Sequence, residues 1–259
     1  MSYASPGERL KSHRLADRDW FQVRDALAAG APAILPVGST EQHGPHLPLS
    51  TDAVVAEELA AAVARRLGGL VLPTITYGAP SRPRSGGGDG FPSPDVSLPT
   101  LLATVESVTE NVLAAGAKWF VAISWHWENA SVLWDALREA LEDSSAKAVL
   151  FASPWDLMSA ESVSDLLGDA ATDFDWASDH AGLLETAIMR HLRPDAVSEP
   201  PPVHPFVARQ WEVLPTPKDA VPETGVVHDA RSVTAAQGAA CFDSMVDGLV
   251  AAVESEIAR

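Results

Sequence analysis

Runs of branched apolar residues alternate along this chain with segments of helical period, and that alternation restricts the possible folds more than any other feature. Asp19 to Gly30 reads as a short amphipathic helix and PAILPVG, Pro32 to Gly38, as a buried strand. A long Ala-rich helix opens at Thr51-Asp52 and ends at Arg66-Leu67-Gly68, and LVLPTITYG, Leu70 to Gly78, reads as a second strand. The pattern continues with a helix over residues 99–116, a strand from Trp119 to Trp125, a helix from Ala130 to Leu141 and a strand from Ala148 to Ser153. Such alternation predicts an α/β fold, a three-layer αβα sandwich with a mainly parallel central sheet covered on both faces.

The last third is less regular. It offers a helix near His180 to Leu192, a Pro-rich passage from Pro194 to Pro222 and a long helix from about Thr234. Val203, Phe206, Val207, Trp211, Val213 and Leu214 make that passage too apolar for a free linker, so residues 194–233 are expected to be a loop packed on the body or on a neighbouring subunit. Residues 1–18 read as a polar N-terminal arm, and 1–259 as one domain.

At 259 residues the chain buries roughly 73–75% of its unfolded surface on folding, so compactness requires neither disulfide nor metal. A metal site here would point to chemistry. The 35 acidic residues against 18 Lys and Arg give a net charge of −17, which disfavours nucleic acid and anionic membranes as partners. Cys241 is the single cysteine, so an intrachain disulfide and a thiolate-rich zinc site are excluded, and it is expected in the core. The first twenty residues contain no apolar run of signal-peptide length, and a cytoplasmic location is expected.

The chemistry is expected where strands end. GSTEQHGPHLPLSTD follows the first strand, so Glu41 and His43 leave a strand's carboxyl end, the place where open α/β sheets build sites. Glu-x-His spacing puts both side chains on one side of an extended segment, and Asp52 follows at a helix start. Taken singly, Asp52 reads as an N-cap, His43 or His46 as a hydrogen-bonded loop histidine and Glu41 as a solvated carboxylate. The third strand ends in SWHWEN, which supplies His126 and Glu128 in the reverse order. Two imidazole/carboxylate pairs and a further Asp suit Zn, Mn or related divalent ions. Five ligands exceed the three that one catalytic zinc uses, so two metals sharing a carboxylate are expected. Two divalent cations against Glu41, Asp52 and Glu128 leave one positive charge, which a bridging hydroxide neutralises.

PVGSTEQHGPHLPLSTD and WHWEN resemble the creatininase (creatinine amidohydrolase) family. YGAPSRPRSGGGDGFPS (Tyr77 to Ser93), SDHAGLLETA (Ser178 to Ala187) and WEVLPTPKDAVPETG extend the resemblance across the chain from about Ala33. His126-Trp127-Glu128-Asn129 and Ser85-Gly86-Gly87-Gly88 are similar to creatininase proper. The resemblance implies one metal on Glu41, Asp52 and His126 and a second on His43, Asp52 and Glu128, with Asp52 bridging. It further implies that Glu128 and His180 are catalytic, His180 as proton shuttle, and that Ser85, Trp127, Trp155, Trp176 and Asp179 contact substrate. Glu185 is either an orienting partner of His180 or a structural anchor; Trp155 and Trp176, read without the family, are core residues.

The activity implied by the resemblance is hydrolysis of a cyclic amide, creatinine first, with two divalent ions per subunit, Zn and/or Mn, in a homohexamer. Pro92-Ser93-Pro94-Asp95 and Trp127 depart from the family pattern near the expected pocket. The rivals are a family peptidase or amidase acting on a linear amide, such as one resembling the mycofactocin precursor peptidase, another lactam hydrolase, and a non-catalytic metal-binding scaffold.

Overall fold

A computed structural model describes residues 12–83, 93–168, 179–200, 211 and 213–259. Within them, helix α1 (Trp20–Ala28) leads into strand β1 (Ala33–Val37), followed by α2 (Thr51–Leu67), β2 (Leu70–Val71), α3 (Leu98–Ala114), β3 (Trp119–Ser124), α4 (Asn129–Ala140) and β4 (Lys147–Phe151). Three helices follow among the described residues: α5 (Ala160–Leu167), α6 (Leu183–Leu192) and α7 (Ala235–Ile257). The strands form one parallel sheet in the order β2-β1-β3-β4.

Strand alternation divides the apolar residues between two cores. Ile34, Val121 and Ile123 face α2, α6 and α7, while Leu35, Val37, Phe120 and Ala122 face α1, α3 and α4. Both faces are covered, so β1 is buried at every position, and each large aliphatic side chain in it contributes about 1.5–3 kcal/mol. The three-layer α/β expectation is met.

Helix ends follow local chemistry. Asp19 accepts from the Gln22 backbone N–H while the Gln22 side chain accepts from Asp19, a reciprocal cap at the start of α1. Thr234 and Gln237 repeat the arrangement for α7. Gly68 closes α2 at a φ of 66°.

Two expectations are corrected. The second strand was read to Gly78, but β2 ends at Val71; Pro73 has no N–H for the ladder, and pairing survives beyond it only as an isolated bridge between Ile75 and Val37. The helix read from His180 begins at Leu183, because the preceding turn carries Ala181 at a φ of 51°. In the Pro-rich passage, Ala220, Val226, Ala230 and Val233 pack on the body, whereas Trp211, Val213 and Leu214 are exposed, Leu214 by 86%. Val203, Phe206 and Val207 lie outside the described residues. Cys241 is buried as expected. Among the described residues, no helix is long and apolar enough to cross a membrane.

Candidate metal centre

The two sequence motifs meet because β1 and β3 are neighbours in register, with Val37 opposite Ser124. The loops that leave these strands therefore start side by side at the carboxyl edge of the sheet. Gly38 lets the start of α2 fold against the end of β1: a Cβ there would stand 2.5 Å from the Ala53 Cα and backbone N. This close approach brings Asp52, in the first turn of α2, to the loop that carries Glu41 and His43. The loop is closed by a hydrogen bond from the Glu41 N–H to the Leu49 carbonyl at 3.0 Å. Glu41, His43, Asp52, His126, Glu128 and His180 are all buried.

Three imidazoles share one design. His43 Nδ1 lies 3.2 Å from the Glu41 carbonyl, His126 Nε2 2.8 Å from the Ala79 carbonyl and His180 Nε2 2.6 Å from the Gln42 carbonyl. A carbonyl only accepts, so each of those nitrogens carries the proton and the other nitrogen turns inward. His43 Nε2 meets Asp52 Oδ1 at 3.1 Å and Glu185 Oε2 at 3.5 Å. His126 Nδ1 meets Glu41 Oε1 at 3.0 Å and Asp52 Oδ2 at 3.2 Å, and His180 Nδ1 lies 3.8 Å from Glu41 Oε1.

In a neutral imidazole the inward nitrogen is an acceptor that faces further acceptors, an arrangement a cation resolves. His43 Nε2 and Asp52 Oδ2 are buried and make no aligned hydrogen bond. Without metal, the cation is a proton: burial works to lower the pKa of His43, but Asp52 and Glu185 hold it well above the ordinary histidine value. The same contest, won by Glu41 and Asp52, raises His126. Burial opposes the ionisation of Asp52 and of Glu185, yet His43 keeps both below the usual carboxylate range.

Among the described residues, three groups have ligand atoms close enough for one ion each: Glu41, Asp52 and His126; His43, Asp52 and Glu185; and Glu41, His43 and His180. The first is the trio the sequence resemblance implies. In the second, Glu185 stands where Glu128 is expected. Glu128 instead accepts the Arg82 N–H at 3.0 Å on Oε1 and places Oε2 3.5 Å from His126 Nε2. The donor set therefore fits divalent ions, and their binding has to displace the protons on His43 and His126.

Trp127 and Trp155 line a cleft above the cluster, together with Asp179 and His180. Their indole planes lie within 20° of parallel with centroids 6.1 Å apart, and Trp125 meets Trp155 edge-on at 5.2 Å. Trp127 is 46% exposed and Trp155 buried. Asp179 faces the same cleft, but its carboxylate accepts the Leu183 and Leu184 N–H groups at 2.9 Å each and so anchors the start of α6. Gly182 allows this fold-back, since a Cβ there would meet Asp179 Oδ1 at 2.1 Å. Ser85 and Trp176 lie outside the described residues.

Two supporting residues, Ser81 and Asn129, escaped sequence reading, whereas Glu185 was expected as an orienting partner of His180 or a structural anchor. Ser81 donates to Glu41 Oε2. Asn129, wholly buried, accepts the Ala79 N–H at 2.9 Å and donates to the Gly38 carbonyl at 3.1 Å, tying together the segments that follow β1, β2 and β3. Its one sequence signal was its place directly after Glu128. Glu185 holds the Ala181 N–H at 2.7 Å, so it fixes the residue after His180, and it also reaches His43.

Comparison with known proteins agrees with this picture. The creatininase family model, described as creatinine amidohydrolase, matches residues 16–253. A creatinine amidohydrolase from Pseudomonas putida is 28% identical over 259 residues, covering 95% of this chain and 98% of that protein. A mycofactocin precursor peptide peptidase from Mycolicibacterium smegmatis is 32% identical over 228 residues, covering 83% of this chain and 81% of its own length. A crystal structure of creatinine amidohydrolase superposes with a TM-score of 0.90 at 28% identity, over 95% of this chain and 98% of that one. Creatininase structures carry Mn or Zn: one named for Mn superposes at 0.87 with 28% identity over 95% and 99% of the two chains. A mutant of Zn-Zn type does so at 0.87 with 27% identity over 95% and 98%. Sequence and backbone match over nearly the whole length, and the chain belongs to the creatininase family of amidohydrolases.

Proposed function

We propose that this protein is a metal-dependent amidohydrolase that opens a cyclic amide, with creatinine as substrate and creatine as product. The observation that carries the reading is the shared orientation of His43, His126 and His180, each tied by one ring N–H to a backbone carbonyl and turned by the other nitrogen toward carboxylates. Glu41, Asp52 and His126 would hold one divalent ion, and His43 and Asp52 the other together with Glu185, which stands where Glu128 was expected, with Asp52 shared. When bound, Zn or Mn supplies Lewis acidity for the amide carbonyl and lowers the pKa of water toward neutrality.

The chain's own residues manage the substrate and the proton. Trp127 and Trp155 offer flat faces for a planar heterocycle, with Ser85 and Trp176 as further contacts and Asp179 fixing the turn that carries His180. His180 Nε2 is committed to the Gln42 carbonyl, so Nδ1 is the atom that takes up and returns a proton. As water adds to the ring carbonyl carbon, the carbon–nitrogen bond breaks. One water proton reaches the departing ring nitrogen through His180, and the other leaves from the new carboxyl group.

Purified protein loaded with Mn or Zn and given creatinine should yield creatine by chromatography; full metal occupancy without turnover would reject this substrate. The identity to the mycofactocin precursor peptide peptidase supports a second reading, hydrolysis of a linear amide. Release of a C-terminal dipeptide from a precursor peptide, with creatinine inert, would establish it instead. The homohexamer implied by the resemblance is part of the proposal, and a monomer mass in light scattering would remove it.

A further inference from the structure

We propose that His228 is a positioning residue: with Gly225 and Val227 it clamps the turn that carries His180, and so sets the direction of that imidazole. The inference rests on the reading above, in which His180 Nδ1 takes up and returns a proton. His228 Nδ1 is shielded from solvent and lies 3.2 Å from Asp179 Oδ1, and Asp179 directly precedes His180. A carboxylate only accepts, so Nδ1 is a nitrogen of His228 that bears a proton. Asp179 also receives the N–H groups of Leu183 and Leu184, both from the start of α6. His228 supplies a contact from outside that turn.

The segment that leads to His228 reaches His180 by two further routes. The Val227 N–H donates to the His180 carbonyl at 3.4 Å. Gln42 Nε2–H donates to the Gly225 carbonyl at 3.3 Å, and the Gln42 carbonyl accepts the His180 Nε2–H at 2.6 Å. Glycine is required at 225, since its φ is 71° and a Cβ there would meet Gln42 Oε1 at 2.0 Å. Val226 is fully buried against Gly44, where a Cβ would stand 2.4 Å from Val226 Cγ2. The residue before His180, the His180 carbonyl and its outward nitrogen are therefore tied to Gly225, Val227 and His228, the last through Gln42. None of these three residues lines the cleft. Loss of the clamp thus acts on the direction of His180 and leaves the indole faces of Trp127 and Trp155 in place.

The test compares His228→Leu with His228→Asn, whose amide nitrogen takes the place of Nδ1. In the Leu variant kcat for creatinine should fall about 10–100-fold, the scale of a misplaced reacting group, with KM and metal content unchanged. The Asn variant should keep most of the wild-type kcat. His228→Gln, which carries its amide farther out, covers a Leu variant that fails to fold and should lose kcat in the same way. A second readout needs no turnover: imidazole nitrogen NMR of Zn-loaded protein, with His180 assigned by His180→Gln. Wild-type and Asn protein should show His180 as one Nε2-protonated tautomer, and the Leu or Gln variant a mixture of tautomers. A structural role alone would lower the melting temperature and leave both readouts at wild-type values, which overturns the inference. So does a loss of kcat shared equally by the Asn variant, or a fall in metal content that matches the fall in kcat. Wild-type protein that binds metal but leaves creatinine intact overturns the substrate reading instead, and the tautomer spectra then decide the role of His228 by themselves.

Discussion

Replacing Asn129 by Ala tests whether the centre depends on the clamp behind it. Asn129 is fully buried, and its side-chain amide pairs with the Ala79 N–H and the Gly38 carbonyl. Truncation leaves two buried backbone groups without these partners, at about 1–3 kcal/mol each, so a loss of about 2–6 kcal/mol is expected. Ala79 also receives the His126 Nε2–H, so loosening it releases the ring whose Nδ1 faces Glu41 and Asp52. Loss of such a supporting contact typically costs ~10–100-fold in metal affinity. Urea unfolding of metal-free protein and Mn titration of the folded variant measure the two effects. Asn111→Ala is the control: its amide makes a 2.7 Å bond to the Ser107 carbonyl on an exposed helix, and the expected change stays within about 0.5 kcal/mol. An Asn129→Ala loss below about 1 kcal/mol with unchanged Mn affinity would refute the clamp.

Four further outcomes are expected. His126→Ala should lower metal content along with rate, and unchanged content would sink its ligand assignment. Gly38→Ala, whose methyl has to displace the α2 backbone, should destabilise by several kcal/mol (about 1–3 or more) and reduce metal content; a wild-type melting temperature would contradict the close approach. Burial, aided by His43, pushes His46 down to about 4. Its contribution to stability is complete above about pH 6.5 and is lost as pH falls through about 4, because the unfolded chain takes the proton first. His46→Gln should flatten that part of the stability profile measured by urea unfolding, and an unaltered profile would argue against it. Burial and Asp165 push the Cys241 thiol up to about 11, so thiol reagents at pH 8 should modify it only on unfolding; rapid modification of native protein would show the pocket is open.

Local pattern was enough for most elements, since each apolar run or helical period is written within a few residues. Where Pro73 interrupted the ladder, the run looked longer than the strand, because apolar patterning continued after the hydrogen bonds had ended. Helix α5 was not anticipated; it is eight residues long, with Leu166 and Leu167 as its buried residues, too few to impose a period.

Sequence by itself determined the parallel sheet with helices on both faces and the two motifs at strand ends, and through the family resemblance it singled out Glu41, Asp52 and His126 as the trio proposed to hold one ion. These are local patterns of residue type at fixed spacing. Only the tertiary structure decided which atoms meet: the inward nitrogens of His126 and His180 are set by backbone carbonyls supplied from elsewhere, at Ala79 and at Gln42. Asn129 and Glu185 gain their places in the same way. Their partners lie up to 142 positions away in sequence, as with Glu185 and His43, and only the register of β1 with β3 and the docking of α6 bring those partners within hydrogen-bonding or ligand distance.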